Sequence, residues 1–198
     1  MSLKVWLPLN GTLENKGLSN ITVTNNSATV NSNGKIGKCY YVSTAAANVN
    51  FPWVFDASAS CSAACWFKLD SVTSSTQWIF NCNAGGGNAN THLGVYITTS
   101  GILYTTGAKN YTYNTTIEAN IWYHVTLCLD TINNKIYLYL NGNQLVDREY
   151  IGTGYKTTYC TIGARRNSNT YAYGMKGYIN DFRLYDHCLS AIEAKEIS

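Results

Sequence analysis

The feature that most restricts how this 198-residue chain can fold is a pair of alternating runs, Trp122–Asp130 and Lys135–Leu140, separated by Thr131-Ile132-Asn133-Asn134. Apolar residues recur at every second position in both runs, the period of a strand whose two faces meet different surroundings. Asn141-Gly142 closes the second run with a tight-turn signal, so two consecutive hairpins are expected, with Gln144–Asp147 as the third strand. The rest of the chain repeats the pattern in shorter pieces. Trp6–Leu9 alternates into Asn10-Gly11, and Asn20–Val23, Ala28–Val30 and Cys39–Val42 follow. Ser60–Leu69 pairs with Gln77–Cys82 across a Ser/Thr loop. Leu93–Thr98, Ile102–Thr105 and Ala108–Asn114 carry tyrosines along a meander, and Cys160–Ala164 and Gly177–Tyr185 are the last two strands. Ser190-Ala191-Ile192-Glu193 has capping-box spacing and starts the one helix expected. Short strands with turn signals roughly every 8–12 residues point to a sandwich or barrel. No linker, repeat or shift in composition divides residues 1–198, which therefore read as a single domain.

Charge excludes some functions. Only 13% of residues are charged, the formal net charge is +3, and Arg165-Arg166 is the one adjacent basic pair. A nucleic-acid partner needs a basic stripe, and none is present. No run of about 18 apolar residues offers a membrane span, and the first residues read directly as strand without a leader pattern. The seven cysteines are Cys39, Cys61, Cys65, Cys82, Cys128, Cys160 and Cys188, an odd number set within apolar strand patterns and lacking any Cys-x-x-Cys pair. They read as buried free thiols, and synthesis in a reducing cytosol is expected.

Three stretches together resemble the laminin-G-like jelly rolls of the concanavalin A-like lectin/glucanase superfamily. Trp122-Tyr123-His124-Val125, with the later Leu138-Tyr139-Leu140-Asn141-Gly142, resembles that family's Trp-x-His-Val hairpin. Gly177–Tyr185 with Leu189, Ser190 and Glu193 resembles its closing strand and terminal helix. Leu7–Gly11 and Ala64–Lys68 resemble its opening and first inner strands. The resemblance implies an all-β fold: a two-sheet antiparallel jelly-roll sandwich with one short C-terminal helix. Trp66 and Trp122 then read as core anchors. Family members often hold calcium near the ends of the opening and closing strands, which implies Asn10, Asn15 and Asp181 as ligands here. Amides stand where carboxylates are usual, and that weakens a calcium site.

Glucanases on this fold place carboxylates on alternate residues of one strand, so that acid and nucleophile face the sugar together. The only acids at that spacing are Asp147 and Glu149, where Arg148 and a loop follow a hairpin, and they do not read as a catalytic pair. His92, His124 and His187 lack metal-ligand spacing, and His124 is expected to pack locally. Gly85-Gly86-Gly87 lacks the Gly-Lys-Thr and helix of a phosphate loop. An enzyme is therefore not expected.

A carbohydrate site needs aromatic faces beside planar amides. The stretch Arg165–Tyr173, too polar for a core, reads as a loop and supplies Arg165, Arg166, Asn167, Asn169, Tyr171 and Tyr173, the first candidates for ligand contact. Lys109–Asn114, with Tyr111 and Tyr113, is the second, and Tyr150–Tyr159 the third. The expected partner is a glycan or cell-surface polysaccharide; copies of the chain or other assembly subunits are the alternative. The Asn-, Thr- and Tyr-rich style also resembles laminin-G-like domains of phage virions, which implies a decoration or receptor-binding role in a virion.

Overall fold

Alternation along the chain becomes two stacked sheets with apolar side chains between them. The computed structural model describes residues 2–56, 59–72, 75–83, 93–107, 109–145, 147–150, 156–167 and 170–198. In chain order its elements begin with β1 (Leu3–Leu7), β2 (Thr24–Asn26), β3 (Thr29–Asn31), β4 (Cys39–Val42), β5 (Asn48–Asp56) and β6 (Cys61–Leu69). They continue with β7 (Gln77–Asn83), β8 (Leu93–Ile97), β9 (Ile102–Gly107), β10 (Lys109–Thr116), β11 (Tyr123–Asp130) and β12 (Lys135–Leu140). The last are β13 (Asn143–Gln144), β14 (Arg148–Glu149), β15 (Lys156–Ile162), β16 (Arg165–Asn167), β17 (Thr170–Ala172), β18 (Gly177–Tyr185) and α1 (Ala191–Glu196).

The larger sheet runs β13-β12-β11-β6-β18-β4-β3, with β1 also on β18 and β14 on β12; the smaller runs β10-β9-β8-β7-β15-β5-β2. All their pairings are antiparallel among the described residues. Sequence neighbours pair in the β7–β10 meander and in β11–β13, but β6 lies between β11 and β18, and β15 between β7 and β5; these long crossovers make the jelly roll. The expected fold is thus the observed one. Val125, Leu127, Leu129, Ile136 and Leu138 point into the core, as their alternation requires. Phe182 joins the two layers, its ring 6.0 Å from Phe51 and 5.8 Å from Phe80, both edge-on. Six of the seven cysteines are buried, Cys188 is half-buried, and all are free thiols.

The helix forms where its capping box predicts. Ser190 accepts from the Glu193 amide, and the Glu193 carboxylate accepts from the Ser190 backbone. Ala194 and Leu189 then pack on Cys128 and Tyr139, covering the outer side of the larger sheet.

Four readings of the sequence need correction. Trp66 is buried but lies outside the inter-sheet core, against His124 at 5.1 Å and beneath the Lys35 ammonium at 4.4 Å. Trp122 is half-buried, with Lys68 5.3 Å from its ring. Indoles this large pack as well against the stem and charge of a lysine as against aliphatic groups. The expected strand at Gln144–Asp147 is two short pieces, β13 and β14, both on β12. Finally, Arg165–Tyr173 is not a loop: Arg165–Asn167 and Thr170–Ala172 pair as a separate two-stranded hairpin.

Candidate functional site

That hairpin lies on the outer face of the smaller sheet. The Trp78 amide donates to the Tyr173 carbonyl at 2.9 Å, Trp78 also bridges Gly174, and the Asn83 side-chain amide donates to the Arg166 carbonyl. On its other side Gly174 passes against the segment after β4, where a Cβ would come within 2.3 Å of the Ala45 backbone. Tyr173 takes φ of 52° beside it and remains 52% exposed.

Beneath and beside the hairpin, register collects residues from distant segments. Asn50 on β5, Thr161 on β15 and Asn81 on β7 are direct cross-strand partners, and Gly94 on β8 continues the row. In the next row Trp78, Tyr96 and Tyr104 stack across β7, β8 and β9, with centroids 4.7 and 5.1 Å apart. A Cβ on Gly94 would meet the Trp78 ring at 2.7 Å, so this glycine is what lets the indole lie flat beside Asn81. The Arg165 guanidinium stands 5.7 Å from the Trp78 centroid, and Arg166 lies 3.5 Å over Tyr159. Burial pushes the Tyr96 phenol up to about 12, an effect reinforced by Tyr104 and tempered by Arg165. Tyr96 therefore stays a neutral hydrogen-bonding group.

The polar groups of this face are incompletely satisfied. Asn81 and Thr161 are fully buried. Among the described residues, both amide atoms of Asn81, the Thr161 hydroxyl and the Arg165 Nε have no hydrogen-bond partner. Asn50, by contrast, donates to Asn48 at 3.1 Å. Leaving a buried polar group unmet costs about 1–3 kcal/mol, and native structures tolerate it where water, an ion or a ligand supplies the missing partner. Four such atoms on and under one hairpin mark a place where the chain does not complete its own bonding.

Of the residues singled out in sequence, Arg165, Arg166, Asn167, Tyr171 and Tyr173 are brought together by this hairpin, Arg166 facing Tyr171 and Asn167 facing Thr170. Asn169 lies outside the described residues, as do His92 and the Gly85–Gly87 run. Tyr111 and Tyr113 are elsewhere. They sit on β10 at the far edge of the smaller sheet, three strands from β7, which is about 14 Å at normal strand spacing. Tyr113 is 2% exposed and belongs to the core, and Tyr111 donates to the Glu149 carbonyl at 2.6 Å, tying the two sheets together. Both therefore lie apart from the residues gathered at the hairpin. Of the third stretch, residues 151–155 lie outside the described residues, Tyr150 is in the core, and Tyr159 is the base on which Arg166 rests. Sequence reasoning missed Trp78, Asn81 and Thr161.

Of the three residues expected to hold calcium, Asn10 and Asp181 share a pocket and Asn15 does not line it. Asp181 and Asn10 line one pocket of about 550 Å³, but Arg183 shares it. The Asp181 carboxylate receives Trp6 Nε1 at 2.7 Å and Arg183 Nε at 3.2 Å on Oδ1, while Arg183 Nη2 lies 2.8 Å from Oδ2. The guanidinium supplies the positive charge that an ion would bring. Asn15 caps local backbone, its Oδ1 accepting from Trp6 and Gly17. An amide already saturated by N–H donors and a carboxylate already paired make a poor hard-cation site. Asp147 is likewise paired, to Lys135 at 2.7 Å, which draws its carboxyl below the usual range.

Residues 37–195 match the family described as the concanavalin A-like lectin/glucanases superfamily, and the chain belongs to it. A search of curated proteins returns no match. Solved structures share the fold at low identity. Domain 4 of AbnA, an extracellular GH43 arabinanase from Geobacillus stearothermophilus solved with arabinotriose, is 18% identical with a TM-score of 0.69, covering 99% of this chain and 98% of its own. The CBM40 of the Ruminococcus gnavus IT-sialidase, bound to α2,3 sialyllactose, is 17% identical with a TM-score of 0.62, covering 80% and 95%. The binding domain of Paraclostridial Mosquitocidal Protein 1 is 14% identical with a TM-score of 0.74; this chain corresponds to 51% of it. These neighbours are binding domains, and the likeness establishes the jelly-roll architecture.

Proposed function

We propose that the protein is a non-catalytic glycan-binding module whose site is the outer face of the smaller sheet at the β16–β17 hairpin. The observation that carries this reading is the pairing of an aromatic row, Trp78–Tyr96–Tyr104, with unmet polar groups on Asn81, Thr161 and Arg165. Sugars present apolar C–H faces and hydroxyls together, and such a surface offers a partner to each. Tyr96, Tyr104, Arg165 and Arg166 are half-exposed and form the accessible rim; Asn81 and Thr161 form a floor that a ligand reaches by displacing what lies above. Asp147, Asp181 and Asp186 are each paired with a cation away from this face, which supports binding over catalysis.

A glycan array probed with the purified chain, followed by affinity electrophoresis, tests the reading. Retention by at least one glycan class is expected, and Tyr96→Ala should weaken it about tenfold, the worth of one aromatic contact of roughly 1–1.5 kcal/mol. A folded chain that binds no glycan would overturn it.

A further inference from the structure

We infer that the ligand of this face is a glycan carrying a carboxylate, with Arg165 as the residue that receives it; the inference rests on the glycan-binding reading above. Its starting point is a cation without a counter-charge. Among the described residues no carboxylate forms an ion pair with Arg165, whose recorded neighbour is the Trp78 ring and whose Nε is buried without a partner.

The sequence shows this to be a property of the whole face. No acidic residue occurs between Asp70 and Glu118, or between Glu149 and Asp181, the stretches that supply β7 to β10, β15 and the hairpin. The same stretches contain Lys109, Lys156, Arg165, Arg166 and Lys176. Asp56, at the end of β5, is the sole acid within the smaller sheet's strands, and its cross-strand partner is Lys156. The remaining nine basic residues are set against all eleven acids, so these stretches of sequence carry the chain's excess of positive charge. A sheet whose strands and overlying hairpin hold a single acid beside several bases attracts anions.

Geometry selects the kind of anion. A guanidinium presents Nε and one Nη along a single edge, which matches the two oxygens of a planar carboxylate. The Arg165 Nε is buried and unmet while the residue as a whole is half-exposed, so a turn of the side chain outward brings that edge to a ligand and relieves the unmet donor. The unmet Asn81 amide supplies one donor and one acceptor to an adjacent hydroxyl, which both gives and takes a hydrogen bond. Trp78 and Tyr96 supply the apolar wall against which the ring lies.

The test compares matched glycans on the full chain. Uronate- and sialate-bearing oligosaccharides are titrated by calorimetry beside their carboxyl-reduced counterparts, with sulfated oligosaccharides as a third set. At least one acidic sugar should bind ten or more times tighter than its reduced form, with affinity falling as salt rises. Arg165→Gln, with an unchanged melting temperature, should abolish that difference. Equal binding of acid and reduced forms, preference for sulfated sugars, or an Arg165→Gln variant that still discriminates would each overturn the carboxylate inference. Binding of neutral glycans alone would overturn it and leave the glycan-binding reading standing, whereas a folded chain that binds none of the three sets overturns both.

Discussion

Two asparagines in this molecule are equally buried and oppositely treated. Asn180, on β18, is 0% exposed and fully engaged: its Oδ1 accepts from the Ile36 amide at 2.7 Å, and its Nδ2 reaches the carbonyls of Pro8 and Lys38, each at 3.0 Å. Asn81, on β7, is also 0% exposed, and its side-chain amide bonds to nothing among the described residues. The first fastens the segment after β1 and the segment before β4 to the last strand, at a point where Asp181 takes φ of 52° and the register with β6 shifts. The second lies under a hairpin, beside stacked aromatics. Deep burial of an amide is therefore no sign of role; whether the chain itself answers the amide is what separates a structural group from one left for another molecule.

The largest effect should come from the engaged amide. Asn180→Ala strands an N–H and two carbonyls at a buried corner, and a loss of about 3–5 kcal/mol is expected, or a fall in Tm of roughly 10 °C for a domain of this size. Denaturant unfolding measures it. A loss below about 1 kcal/mol would mean that water replaces the amide readily, and the contrast with Asn81 would dissolve.

His124 stands between the two cases. Its Nδ1 meets the Thr126 hydroxyl at 3.5 Å, its Nε2 has no partner, and burial, helped by Arg183, lowers its pKa from 6.5 to about 3. The unfolded chain thus takes up a proton near pH 6.5 that the folded chain refuses until about pH 3, so stability is complete above pH 6.5 and declines on acidification. Between pH 6.5 and 4 the wild type should lose up to a few kcal/mol, the order set by a shift of this size. His124→Gln should be nearly flat over that range. Asp186, held down chiefly by its Ser2 hydrogen bond, adds its own loss only below the normal carboxylate range. An equal slope in both proteins would place the pH dependence elsewhere.

How much of this was readable beforehand follows from what is local. The β11–β12 hairpin, β6, β18 and the capped helix each carry their pattern within a few neighbouring residues, and all appear where expected. β5 was missed because Pro52 reads as a breaker; in the structure it pairs with Tyr159 at a register irregularity, where a missing N–H is tolerated. The hairpin at Arg165 was read as a loop because its residues are polar, yet it is ordered by the sheet beneath it. Asn50, Thr161 and Asn81 come together only through cross-strand register, and nothing local to Trp78-Ile79-Phe80-Asn81-Cys82 announces that its asparagine faces away from the core. The burial of Tyr113 is the converse case: its own strand alternates it inward. The pairing of Asp181 with Arg183, two residues further on, is legible in the spacing, which places both on one strand face and lets guanidinium and carboxylate meet.

The smallest effect on stability, and the most telling, belongs to the unanswered amide. Asn81→Ala removes a donor and an acceptor that the fold does not use, and with them their desolvation, at the cost of some packing around a side chain of modest size. These terms oppose each other, so the variant should lie within about 1 kcal/mol of wild type, with a Tm unchanged or slightly higher. Its affinity for the glycan should nonetheless fall about tenfold, one hydrogen-bonding group's worth. Stability retained with binding lost is the signature of a group kept for a ligand at the expense of the fold. A loss of 2 kcal/mol or more would instead show that Asn81 is answered in solution, and would move it to the same class as Asn180.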